Sequence, residues 1–182
     1  MKKVMIPLGE GFEEIEAVTN IDVFRRAGLE VVTAGLGKRE VEGDHGIKIE
    51  ADLLLKDVDI NELDAIVLPG GMPGAENLRN NDKLVWLISE LDQREGLVAA
   101  ICAAPMVLDK AGVIEGKNAT SYPGFARKMP SCNYTEERVV RDGNVITGRG
   151  PGVAMEFALE VVRYLVGHDK VDELKDEMLT NF

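Results

Sequence analysis

Short apolar runs alternate with helical patterns along this chain, and that alternation limits it to an α/β architecture. Val4–Leu8 is apolar throughout and stops at Gly9. Glu13–Ala27 follows, with Ile15, Val18, Ile21 and Phe24 at three-residue spacing, and reads as an amphipathic helix closed by Gly28. Glu30–Ala34, Ala65–Leu68 and Leu97–Ala100 read as further strands, with a helix around Lys83–Gln93 between the last two. Runs this short and this apolar suit strands covered on both faces, as in a parallel sheet. Residues 38–57 break the pattern: Val41, Ile47 and Ile49 stand among polar residues with Gly43 and Gly46, which predicts a small hairpin and an excursion at the sheet edge.

Toward the C-terminus, Lys117–Thr120 reads as a strand, and Arg138–Val140 with Asn144–Thr147 as a hairpin across Asp142-Gly143. Met155–Val166 is a strongly apolar helix and Val171–Leu179 a charged terminal one. No repeat, low-complexity tract or linker interrupts the 182 residues, so a single domain over 1–182 is expected. The expected fold is a doubly wound, mainly parallel sheet with helices on both faces.

Composition narrows the function. A net charge of -11 with scattered lysines and arginines offers no footprint for nucleic acid. No segment approaches the roughly 18 apolar residues that span a bilayer. Two cysteines, Cys102 and Cys132, are too few for a disulfide framework and point to a reduced, cytoplasmic protein. No cysteine–histidine spacing suits a metal, and neither a dinucleotide nor a phosphate-loop pattern fits Gly148–Gly152, so no cofactor is expected.

Ligands of an open parallel sheet bind beyond the carboxyl ends of its strands. Those ends carry Gly9–Glu16, Gly70-Gly71, Cys102, Tyr122 and Gly148–Gly152. Cys102 draws most attention. An apolar strand runs straight into it, a helix follows, and Ala100 and Ala104 flank it, as a crowded strand-to-helix turn requires. A helix N-terminus and free backbone N–H groups there would favour the thiolate. The bland alternative is a small buried residue. Glu16 stands beside the apolar stripe of its helix, either as one of several acids on a solvated face or as a half-buried proton carrier with a raised pKa. Gly70-Gly71 is either an ordinary turn or, with Ala103, a source of oxyanion-binding N–H groups. His45 and His168 both lie away from the strand ends and read as surface residues, so a Cys-His hydrolase is hard to assemble.

Taken together, several blocks resemble the ThiJ/PfpI superfamily, in the branch of the parkinsonism-associated protein deglycase and its bacterial relatives. They are Glu13-Glu14-Ile15-Glu16, Asp22–Gly28, Val67-Leu68-Pro69-Gly70-Gly71, Ala99–Pro105, and Arg149-Gly150-Pro151-Gly152 leading into Glu156–Leu159. The resemblance implies a flavodoxin-like homodimer with Cys102 as nucleophile and a protonated Glu16 hydrogen-bonded to its thiolate. Gly71 and Ala103 would line the pocket with N–H groups. The implied substrates are small reactive aldehydes or glycated groups, in glyoxalase or deglycase chemistry without glutathione. An oxidative-stress sensor whose cysteine becomes a sulfinate, or a chaperone, is the alternative. An amidotransferase or peptidase is the remotest reading, because Ala103 stands where the peptidase branch has histidine. One departure is Ser121-Tyr122-Pro123, where the best-known relative has a histidine near the cysteine. A phenol is a poor base at neutral pH, which leaves proton transfer to Glu16 or water.

Overall fold

A computed structural model describes residues 1–181. In chain order its elements are β1 (Lys3–Leu8), α1 (Glu14–Arg26), β2 (Glu30–Gly35), β3 (Glu40–Glu42), β4 (Lys48–Glu50), β5 (Leu53–Leu54) and β6 (Ala65–Leu68). There follow α2 (Gly74–Arg79), α3 (Asp82–Gln93), β7 (Leu97–Ile101), α4 (Pro105–Lys110), β8 (Asn118–Ala119) and β9 (Asn133–Tyr134). The chain closes with β10 (Val139–Asp142), β11 (Val145–Gly148), α5 (Ala154–Leu165) and α6 (His168–Met178). The main sheet has seven strands in the order β10-β11-β7-β6-β1-β2-β5, all parallel except the edge strand β10. This is the expected doubly wound α/β fold.

Both faces of the central strands are covered, which explains their uninterrupted apolar sequences. On β7, Leu97, Ala99 and Ile101 join the layer formed with α1 and α5, while Val98 and Ala100 join the layer with α2, α3 and α4. Strand order reverses at β1, with β2 on one side and β6 on the other. The loops after β1 and β6 therefore open the crevice where such sheets bind ligands. They carry Glu13 and Gly70-Gly71, and the Glu13 N–H donates to the Gly70 carbonyl at 3.0 Å.

Two expectations need correction, and one helix is unexpected. The Ile15–Phe24 stripe does not face the core: Ile15 is 58% and Val18 47% exposed, whereas Glu16, Ala17, Asn20, Val23 and Phe24 are buried. At about 100° per residue, three-residue steps drift around a helix, so Ile15 and Phe24 point in opposite directions. Lys117–Thr120 adds nothing to the main sheet: β8 pairs only with β9, in a separate two-stranded ribbon. The six-residue helix α2, between β6 and α3, carries no sequence periodicity that marks it. The hairpin after residue 38 forms as expected from β3 and β4, with β5 returning to the sheet edge.

Candidate active site

Ile101 ends β7, and Cys102 then takes φ 63°. For an L-residue that left-handed conformation costs about 1–2 kcal/mol, and the surrounding structure holds it in place. The Cys102 N–H donates to the Gly148 carbonyl at 2.9 Å, and its own carbonyl accepts the Tyr122 N–H at 2.8 Å. Ala100 and Ala104 are fully buried on either side. The small flanking residues are those the turn requires. The helix behind is α4, which has only six residues, so its dipole is slight.

Glu16 comes to the same point from α1. It is fully buried, and its Oε2 accepts the Gly70 N–H at 2.7 Å. Its other oxygen, Oε1, is buried with no hydrogen-bond partner among the described residues. A Cβ placed on Gly70 would lie 2.7 Å from Cys102 Cβ and 2.9 Å from Glu16 Oε2, so the glycine is the gap through which thiol and carboxyl meet. Burial raises the Glu16 pKa to about 7, against the opposing effects of the Gly70 N–H and of Cys102.

The thiol does not behave as the sequence suggested. Burial, together with the Glu16 carboxylate, pushes Cys102 up to about 12, and the N–H groups of Gly71 and Ala103 only partly offset this. A freely ionised thiolate is therefore replaced by a coupled pair. Above about pH 7, Glu16 and Cys102 hold one proton between them. Among the described residues neither the Gly71 nor the Ala103 N–H donates to a backbone carbonyl, and both act on the Cys102 sulfur as donors that favour its ionised form.

Tyr122 reaches the site through its backbone alone. Its ring is on the surface, with the residue 47% exposed, and packs over Gly150. With Pro123, Arg149 and Pro151 it walls an open cavity of about 310 Å³. His45 is more engaged than a surface residue need be. Its backbone N–H donates to Glu14 Oε1 at 2.7 Å and its ring nitrogen Nδ1 lies 2.8 Å from Glu14 Oε2, which raises the histidine's pKa. Glu13, Asp44 and His45 form a group of metal-capable side chains at this hairpin. Sequence spacing missed it because its members come from two separate loops. Cys132 lies apart, donating to the Met129 carbonyl at 3.4 Å.

Fold and site together define an α/β protein with a cysteine on a strained strand-to-helix turn and a buried glutamate beside it. The chain belongs to the DJ-1/PfpI family, whose model matches residues 2–164. It is 40% identical to "Protein dj-1beta" of Drosophila melanogaster over 185 residues, covering 100% of this chain and 98% of that protein. The crystal structure of Drosophila DJ-1beta superposes with a TM-score of 0.95 at 39% identity, covering 100% of this chain and 99% of the other. The structure described as "Toxoplasma gondii DJ-1, oxidized" gives 0.95 at 37% identity, with 100% of each chain covered. "Protein DJ-1 homolog B" of Arabidopsis thaliana is 42% identical over 98% of this chain, which spans 41% of that relative's length. Against such longer plant relatives, the chain covers less than half. Among the described residues, no helix is long and apolar enough to cross a membrane.

Proposed function

We propose that this chain is a cysteine-dependent enzyme acting on reactive carbonyls, of the glyoxalase or deglycase type, working as one domain in the cytoplasm. The observation that carries the reading is the pairing of Cys102 with a buried Glu16 whose pKa is raised to about 7. A carboxyl poised there can give and take a proton at neutral pH.

With methylglyoxal the chemistry runs as follows. The one proton of the pair starts on sulfur, and the Glu16 carboxylate takes it as the Cys102 sulfur adds to the aldehyde carbon to form a hemithioacetal. The N–H groups of Gly71 and Ala103 stabilise the developing oxyanion, and Glu16 protonates it. The Glu16 carboxylate then removes the proton from that carbon, giving an enediolate, and returns it to the neighbouring carbon, while the hydroxyl proton of the first carbon passes to the oxygen on its neighbour. The carbonyl that results is a thioester of lactate. Water cleaves it, releasing lactate and restoring the thiol. No outside oxidant is needed, because one carbon is oxidised as its neighbour is reduced. Tyr122 takes no part in proton transfer in this scheme and serves as a wall of the entrance. We expect the protein to form lactate from methylglyoxal, and Cys102→Ala to reduce the rate to the uncatalysed background. Lactate at equal rates from both proteins would overturn the reading.

A sensor role rests on the same pair and is favoured by the oxidised state named for the Toxoplasma gondii relative. In that reading two molecules of peroxide oxidise the Cys102 sulfur to a sulfinate, each giving up one oxygen and leaving as water, and the sulfinate oxygens accept from the N–H groups of Gly71 and Ala103 and from protonated Glu16.

We also propose a homodimer formed through α1. Ile15 and Val18 leave an apolar strip on its outer face, and the 56% exposed Ile47 extends that strip onto the hairpin, which Glu14 ties to α1. A second copy of the chain would cover it. Light scattering during gel filtration is expected to give a dimer for the natural chain and a monomer for Ile15→Asp. A dimer in both would remove the α1 face from consideration.

A further inference from the structure

One cleft shares no wall with the Cys102 site. It has a volume of about 690 Å³, within the range of small-molecule sites. It lies along the edge strand β10, under α5, and reaches α6. Six charged side chains line it: Arg138, Arg141, Arg163 and Lys175 against Glu156 and Glu160. Four cations against two carboxylates make its walls net positive, on a chain whose overall charge is -11. Small anions are repelled by most of this molecule and drawn to this cleft.

We propose that this cleft is a second ligand site, for a small molecule carrying at least two negative charges on phosphate or carboxylate groups. Three elements build it. Val139 and Arg141 are two residues apart and so share one face of β10. Glu156, Glu160 and Arg163 recur at four and three residues along one face of α5. Lys175 completes the wall from α6.

Donors outnumber acceptors. Arg138 Nε is bound to Glu156 Oε2 at 2.8 Å. Glu160 is shared: Arg141 Nη1 lies 3.6 Å from its Oε1, and Arg163 holds its Oε2. Arg163 Nε is buried with no acceptor at all. Lys175 Nζ has no carboxylate partner among the described residues. Arg141 is also fixed in place, its guanidinium stacked 5.0 Å from the centre of the Tyr164 ring. Planar guanidinium forks recognise carboxylate and phosphate two oxygens at a time. Leu159 and Val139 give the site an apolar floor for the body of the ligand.

Titration calorimetry of the intact protein with inorganic pyrophosphate and with citrate tests this, the tighter binder identifying the headgroup chemistry. Saturable binding of at least one probe is expected. Arg141→Gln and Arg163→Gln should each weaken it at least about tenfold, the effect of one charge-assisted hydrogen bond. Glu160→Gln should tighten it, because it removes the competing acceptor, and a purely structural role for these residues predicts no such reversal. Lys38→Gln, on a different face, should bind as the natural chain does. Circular dichroism reports whether each variant is folded. Failure of both probes to bind, or unchanged binding by both arginine variants, or weaker binding by a folded Glu160→Gln, would overturn the proposal.

Discussion

Glu16→Gln is expected to make the protein more stable and less active at once. In the unfolded chain this carboxyl ionises near its ordinary value of 4.5, whereas in the fold burial holds it to about 7. Between those values the folded state binds the extra proton, so stability falls as pH rises from about 4.5 to about 7. At about 1.4 kcal/mol per pH unit, the natural chain forfeits about 3 kcal/mol across that window. Glutamine carries no charge to bury, and its amide oxygen can still accept the Gly70 N–H. Urea unfolding should therefore find Glu16→Gln about 2–3 kcal/mol more stable at pH 8, and close to the natural chain at pH 4. Equal stability at pH 8 would show that the carboxylate is not buried as described.

Activity should move the other way. Loss of the proton carrier is expected to reduce turnover of a carbonyl substrate by about 10²–10⁴-fold. Alkylation of Cys102 separates the coupled pair from an isolated thiol. In the natural chain the rate should rise as the first proton leaves the pair near pH 7, then level off, because the remaining proton is shared and is held to about 12. In Glu16→Gln the break near pH 7 should disappear. A natural-chain rate that climbs steadily through pH 9 would mean that thiol and carboxyl titrate independently.

The sequence carried the layers of this fold because the strands covered on both faces are nearly all apolar. It also carried the turn at Cys102, whose crowding selects Ala100 and Ala104. The burial of Glu16 was not legible in the same way. It depends on how α1 is rotated about its axis, and long-range bonds set that rotation: Glu13 N–H to the Gly70 carbonyl, and Glu14 to the backbone of His45 and Ile47. None of these partners is near in sequence. The ionisation of Cys102 was misread for a related reason. A helix start and small neighbours can be seen locally, but the opposing carboxylate arrives from another element. Two-residue pairings such as β8 with β9 leave no periodicity to read, and the cationic cleft forms only where three separate elements come together.

Gly71→Ala should be the most damaging of the small substitutions, because this residue has both a conformational and a steric reason to be glycine. Its φ is +85°, and a Cβ would lie 2.5 Å from the Gly11 carbonyl oxygen and 2.6 Å from the Phe12 carbonyl carbon. Both are backbone atoms, in the loop whose Glu13 N–H is bonded to Gly70. The loop cannot retreat without breaking that bond and turning Glu16 on its helix. We expect a loss of about 3–5 kcal/mol, combining left-handed strain with the clash. Gly112→Ala is the internal control: its φ is +76° but nothing lies within 4 Å of its added Cβ, so strain alone should cost about 1–2 kcal/mol. If both alanines destabilise equally, packing around Gly71 is looser than described. In the fraction that folds, displacement of the Gly71 N–H from the sulfur should lower turnover about 10²–10³-fold, the usual effect of losing one oxyanion donor. Stability and catalysis thus meet at one glycine, whose Cα has no room for a side chain and whose N–H serves the sulfur.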